Sequence, residues 1–235
     1  MATYAIADLH GQYDLWSQVK NFLKPDDRLF ILGDCGDRGP DGWKIIKEAL
    51  RDPRVKYIRG NHDQMLLDAW KTEWRDTYIW FCNGGYETFE SILADADAEI
   101  YLQELNRTLY SYEYRNKNYD TILLSHAGYT IYEYDAQPDI NELLWGRDHI
   151  FSRCDWWDHT NPSVYVVHGH TGVVSSVFKR RSIDFPTDTK INESNTVCRY
   201  ADGHKICIDG RSFMSGKIAI LDLDTLKEIV FERAE

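Results

Sequence analysis

Five short segments of this chain set aspartate, asparagine or histidine beside glycine. They are Asp8 and His10 in DLHG, Asp34, Asp37 and Arg38 in GDCGDRG, Asn61, His62 and Asp63 in GNHD, His126 in SHAG, and His168 and His170 in HGHT. Mixed oxygen and imidazole donors suit divalent ions such as Mn, Fe or Zn, and the lack of a CxxC pair argues against a structural zinc site. Two such ions about 3.5–4 Å apart clamp the attacking and leaving oxygens of an in-line displacement at phosphorus. A single Asp or His next to a glycine is ordinarily a turn former or a helix cap. The conjunction of five is what points to a metal centre.

Something must carry these segments to one place. Apolar, β-rich runs end just before each of them, at residues 3–7, 28–32, 55–59, 121–125 and 164–168. Helical patterns at 13–23, 41–50 and 63–71 each follow one of the first three, and the first two of them separate those runs, which reads as βαβαβ. In layered α/β folds ligands bind at the carboxyl ends of the strands, so all five segments are expected along one edge. Residues 84–109 read as acidic, amphipathic helix capping one side of the sheet. Short strands at 205–209, 217–223 and 228–231 are expected to pair antiparallel in a second sheet. The polar stretch 172–204 has no clear period and reads as a surface excursion; it includes Lys179, Arg180 and Arg181.

Composition narrows the function further. A chain of 235 residues with 43% apolar and 28% charged residues can bury one core, and 1–235 is expected to be one domain. No apolar run is long enough to span a bilayer. A strand pattern that begins at Thr3 leaves no room for a cleavable leader, and five cysteines without a CxxC pair fit reduced thiols, so the expected compartment is the cytoplasm. The net charge of −11 disfavours a nucleic-acid partner, whose backbone is gripped by Lys and Arg.

DLHG, GDCGDRG, GNHD, SHAG and HGHT, in that order across residues 8–171, resemble the motifs of calcineurin-like metallophosphoesterases. Within that family the resemblance is to the phosphoprotein phosphatase branch, and to its bacterial and phage Ser/Thr phosphatases. GNHD stands where eukaryotic members have GNHE, SHAG where they have HGG, and KICIDG followed by SGKIAILDLD is similar to the closing strands of bacterial members.

The resemblance implies an α/β fold, a four-layer α-β-β-α sandwich with two mixed sheets and a dinuclear centre at the strand ends. It implies that Asp8, His10 and Asp34 hold one divalent ion and that Asp34, Asn61, His126 and His170 hold the other, with Asp34 bridging; the imidazole donors favour Mn²⁺ over Mg²⁺, with Fe or Zn as alternatives. It implies that His62 is the general acid for the leaving alkoxide, oriented by Asp37, since a histidine beside a carboxylate is readily held as the imidazolium. Arg38, Arg147 in LWGRD, and Asn61 are the implied phosphate contacts. His168 and His170 lie two residues apart on one strand end, which pattern alone does not separate; the resemblance selects His170 and leaves His168 behind it.

The implied activity is hydrolysis of phosphate monoesters by water activated between the two ions. The expected substrate is phosphoserine or phosphothreonine in a protein, or a phosphorylated small molecule. The alternative enzyme is a symmetrical diadenosine tetraphosphatase, and the alternative outside catalysis is a silent module that binds phosphoproteins. Several residues have plainer readings. His149, His159 and His204 match no motif and read as surface or structural, Trp156 and Trp157 as packing, the 179–181 triplet as a solvated face, and Cys35 as a small buried filler beside a ligand.

Overall fold

The computed structural model describes residues 1–72, 77–129, 138–151, 164–175, 178 and 189–234. Its first sheet is built on β1 (Thr3–Ile6), β2 (Arg28–Leu32) and β3 (Val55–Ile58), which run parallel. Each strand buries both faces. Ala5, Phe30, Leu32 and Ile58 point towards the second sheet, while Tyr4, Ile6, Leu29, Ile31 and Tyr57 meet the helices. That two-sided burial is why these runs read as continuous apolar sequence rather than as strict alternation.

The helix side is formed by α1 (Tyr13–Phe22), α2 (Gly42–Arg51), α3 (Asn61–Lys71), α4 (Thr77–Cys82), α5 (Tyr86–Leu93) and α6 (Ala98–Leu105). Leu15, Trp16 and Val19 of α1, Trp43, Ile45 and Ile46 of α2, and Ile92, Tyr101 and Leu102 of the last two supply one continuous core. The 84–109 segment therefore caps this sheet as its pattern predicts.

The second sheet has the order β4 (Ser111–Arg115), β5 (Thr121–Ser125), β6 (Val164–His168), β9 (Lys205–Cys207), β8 (Cys198–Tyr200) and β7 (Lys190–Ile191). β5, β6 and β9 are parallel, and the other pairings are antiparallel. Short helices α7 (Ile140–Trp145) and α8 (Asp148–Phe151) precede β6, and Ile150 of α8 packs on the outer face against Cys198, Tyr200 and Cys207. The result is the four-layer α-β-β-α sandwich with two mixed sheets.

Two expectations are corrected. The last strands, β10 (Lys217–Asp222) and β11 (Glu228–Glu232), do not join 205–207 in the second sheet. β10 pairs antiparallel with β1 and completes the first sheet, because Ala219 and Leu221 face the inter-sheet core while Ile218 and Ile220 face the helices. A strand's period shows which residues are buried, not which edge it pairs with. The 172–204 stretch likewise holds β7 and β8, too short to show a period. Trp156, Trp157, His159 and the 179–181 triplet lie outside the described residues.

Candidate active site

The carboxyl ends of β1, β2, β3, β5, β6 and β9 open onto one place between the two sheets. The loops leaving them are tied together by backbone bonds: His10 N–H donates to the Asp34 carbonyl at 3.0 Å, Gly11 N–H to Cys35 at 2.8 Å, and Gly169 N–H to His126 at 2.8 Å. The His170 N–H donates to the Asp8 carboxylate at 3.0 Å and so links the two sheets directly.

Six of the twelve described non-glycine residues with positive φ are Asp8, His10, Asp34, Asp37, Arg38 and His170. Each such residue costs roughly 1–2 kcal/mol, and strain of this kind concentrates where side-chain placement matters more than backbone comfort. Two glycines make the close approach possible. A β-carbon at Gly60 would collide with the Asp34 carboxylate, and one at Gly169 with that of Asp8.

Donor atoms converge in two overlapping groups. His10, Asp34 and His62 each offer one within 4.8 Å of the others, and so do Asp34, His126 and His170. Asp34 belongs to both. Asn61 Oδ1 lies 2.8 Å from His126 Nε2 and 2.9 Å from His170 Nδ1. Asp8 belongs to neither group, but its Oδ1 is 4.0 Å from His10 Nε2. His126 donates from Nδ1 to the Leu32 carbonyl at 2.6 Å, and His10 from Nδ1 to that of Gly36 at 2.9 Å, so both rings direct Nε2 inward. Arg147 is exposed in the turn between α7 and α8, and its charge bears on His170.

His168 points elsewhere. Its Nδ1 is 3.0 Å from the Gly169 carbonyl and its Nε2 is 2.8 Å from the Tyr200 hydroxyl, and burial pushes its pKa down to about 3. His149, read as surface or structural, is buried edge-on against His168. His204 is partly buried and stacks on Tyr165. Cys35 is buried, and that burial pushes its thiol pKa well up, as befits a filler rather than a reactive thiolate.

The donor set fits divalent cations on electrostatic grounds. Burial pushes the Asp8 carboxyl well up, and Asp209 and Asp34 push it further. Burial pushes Asp34 up too, but His126, His62 and His10 outweigh it and hold Asp34 well below the ordinary carboxylate range. For His126, burial opposes charge, yet Asp34, the bond to it and Asp8 bring its pKa up to about 9. Among the described residues its Nε2 faces two acceptors, Asp34 Oδ2 at 3.3 Å and Asn61 Oδ1, which call for a positive charge there. His10 and His170 are held neutral mainly by burial, the form in which imidazole binds metal, and among the described residues the buried His170 Nε2 has no hydrogen-bond partner.

Beside these donors, His62 Nδ1 lies 2.6 Å from Asp37 Oδ2. Arg38 reaches in from an exposed position and donates to His10 Nε2 and His62 Nε2, each at 2.7 Å. Its guanidinium lies over Phe213, 4.9 Å from the ring centroid.

Motif reading overlooks the residues that hold this arrangement. Trp80 Nε1 donates to Asp37 Oδ2 at 2.8 Å, the Thr88 hydroxyl accepts from Asp37 N–H at 2.9 Å, and the Gly84 carbonyl accepts from Arg38 N–H at 2.9 Å. Ser212, opening the short helix α9 (Ser212–Ser215), donates to the Asp8 carbonyl at 2.6 Å. Asp209 was within reach of the strand-end argument, since it follows β9 as Asp34 follows β2.

Residues 1–208 match the sequence family described as calcineurin-like phosphoesterase. The chain belongs to that family. It is a metal-dependent phosphoesterase, as the motif resemblance implies. Among similar curated proteins, Serine/threonine-protein phosphatase 2 of Salmonella typhimurium is 27% identical over 94% of this chain and 92% of its own. The symmetrical bis(5'-nucleosyl)-tetraphosphatase of Buchnera aphidicola is 40% identical, but over only 28% of this chain and 26% of its own. The crystal structure of a candidate diadenosine tetraphosphatase aligns with a TM-score of 0.65 at 14% identity, covering 99% of this calcineurin-like chain and 94% of that one. At that identity the likeness speaks for the fold alone.

Proposed function

We propose that this phosphoesterase is a serine/threonine protein phosphatase, dependent on two divalent ions with Mn²⁺ preferred, and that it works in the cytoplasm. Asp8, His10 and Asp34 would hold one ion, and Asp34, Asn61, His126 and His170 the other. Bound there, the ions supply Lewis acidity towards the phosphoryl oxygens and lower the pKa of water.

The observation that carries the reading is the His62–Asp37 pair next to Arg38. An alkoxide leaves phosphorus poorly unless it is protonated, and with Nδ1 held by Asp37 it is His62 Nε2 that would deliver the proton. Arg38 now occupies Nε2 as a donor. For proton transfer it must turn from the two imidazoles to the phosphoryl oxygens, which match a guanidinium fork. Phosphate binding and readiness of the acid are thereby one movement, with Asn61 and Arg147 as the further phosphate contacts. No described helix is long and apolar enough to cross a membrane.

The choice of a phosphoprotein over a nucleotide is supported by the relative named as a protein phosphatase, which matches over nearly the whole chain. The tetraphosphatase reading is favoured by higher identity over a short stretch. Comparing kcat/KM for phosphoserine peptides and for diadenosine tetraphosphate on the Mn²⁺-loaded enzyme decides between them. A kcat/KM larger for the dinucleotide would overturn the proposal. Turnover of p-nitrophenyl phosphate by the metal-loaded protein would remove the silent binding module.

A further inference from the structure

Arg211 combines three features that the phosphoesterase reading leaves unused. It is in the left-handed region, with φ 53° and ψ 52°, where a β-carbon is unfavourable and glycine is the ordinary occupant. Its side chain runs along Gly172, two residues beyond His170, so closely that a β-carbon at Gly172 would strike its methylenes. Its backbone N–H donates to Asp209 Oδ1 at 2.8 Å, but among the described residues its guanidinium has no hydrogen-bond or ion-pair partner.

Arg211 is partly buried, yet its charged end meets no acceptor among the described residues, and its left-handed backbone is strained. Neither is explained by packing, since a glycine at 211 would relieve the strain and leave Gly172 uncrowded. The residue's place explains both. Arg211 lies between Asp209, which faces the Asp8 and Asp34 carboxylates, and Phe213, whose ring supports Arg38 and meets His10 edge-on at 5.4 Å. It therefore stands at the rim of the site, on the side of His170, carrying a charge opposite to the chain's net −11.

We propose that Arg211 is a specificity-determining residue that pairs with an acidic side chain flanking the phosphorylated residue, so that acidic phosphopeptides are the favoured substrates. This rests on the protein-phosphatase reading given above. The scissile phosphate has Arg38 and the metal donors; Arg211 addresses the chain on either side of it. The pairing is charge-assisted, which makes it stronger than a hydrogen bond between neutral groups.

The test uses two phosphoserine peptides that are identical except for Glu or Gln on both sides of the phosphoserine. The Mn²⁺-loaded enzyme should favour the Glu peptide by about five- to tenfold in kcat/KM, carried by KM. Arg211→Gln and Arg211→Gly should bring that ratio close to one, and Arg211→Lys should restore part of it. A residue that merely braces the loop would lower both rates alike and leave the ratio where it was, which overturns the assignment. Equal kcat/KM for the two peptides with the unaltered enzyme overturns it as well and leaves the protein-phosphatase reading standing. Turnover of p-nitrophenyl phosphate without turnover of either peptide removes that reading, and the role of Arg211 with it.

Discussion

Asp37 Oδ2 accepts from His62 Nδ1 at 2.6 Å and from Trp80 Nε1 at 2.8 Å, so one carboxylate oxygen fixes the ring proposed above as the general acid. Replacing the acid should therefore separate chemistry from metal binding. His62→Asn is predicted to keep both ions and to lower kcat on phosphoserine by about 10²–10⁴. p-Nitrophenyl phosphate, whose leaving group needs little protonation, should lose less. Equal losses on both substrates with metal content intact would count against His62 as the acid.

Trp80→Phe removes the second donor to Asp37 while keeping a ring in the core between Phe81 and Phe89. The expected result is a fall in kcat of about tenfold, again greater for phosphoserine than for p-nitrophenyl phosphate, with KM nearly constant. An unchanged kcat on phosphoserine would show that Asp37 needs no help in orienting His62.

Asp34 belongs to both donor groups. Asp34→Asn is predicted to weaken both ions together. Elemental analysis of the folded variant checks this, and two ions retained at full occupancy would remove the bridging role.

His168 and His170 should differ sharply. His170→Ala is predicted to empty or severely weaken one metal position, because His170 shares its donor group with Asp34 and His126. His168→Ala, which breaks the contact with Tyr200, should bind two ions with a smaller loss of affinity. Mn²⁺ titration of each variant counts the ions directly. Loss of one ion in His168→Ala with both kept in His170→Ala would exchange the two roles.

Metal binding should depend on pH in a stated direction. Chelation is predicted to abolish activity, and Mn²⁺ to restore it at least as well as Mg²⁺. His126 titrates near 9 in the protein without metal, so below that pH an ion must displace its proton. Apparent affinity should rise by about tenfold per pH unit from about pH 7 to 9 for each proton released, and level off above. A pH-independent affinity measured by titration calorimetry would mean that His126 gives up no proton to the metal.

The sequence by itself determined the strand ends and what they carry. Asp8, Asp34, Asn61, His126 and His170 each follow an apolar run that becomes a strand at nearly the expected residues, because burial on both faces and the glycines at the turns are written locally. The separation of His168 from His170 was different. Both leave the same strand, and only the tertiary structure turns one towards Tyr200 and the other, through a left-handed backbone, towards Asn61. The edge on which β10 pairs was equally illegible, since an apolar strand fits either sheet until β1 offers its free side. Trp80, Thr88, Ser212 and Arg211 carry no motif at all. They act through contacts with residues far along the chain, and such contacts exist only once strands and helices distant in sequence have packed together.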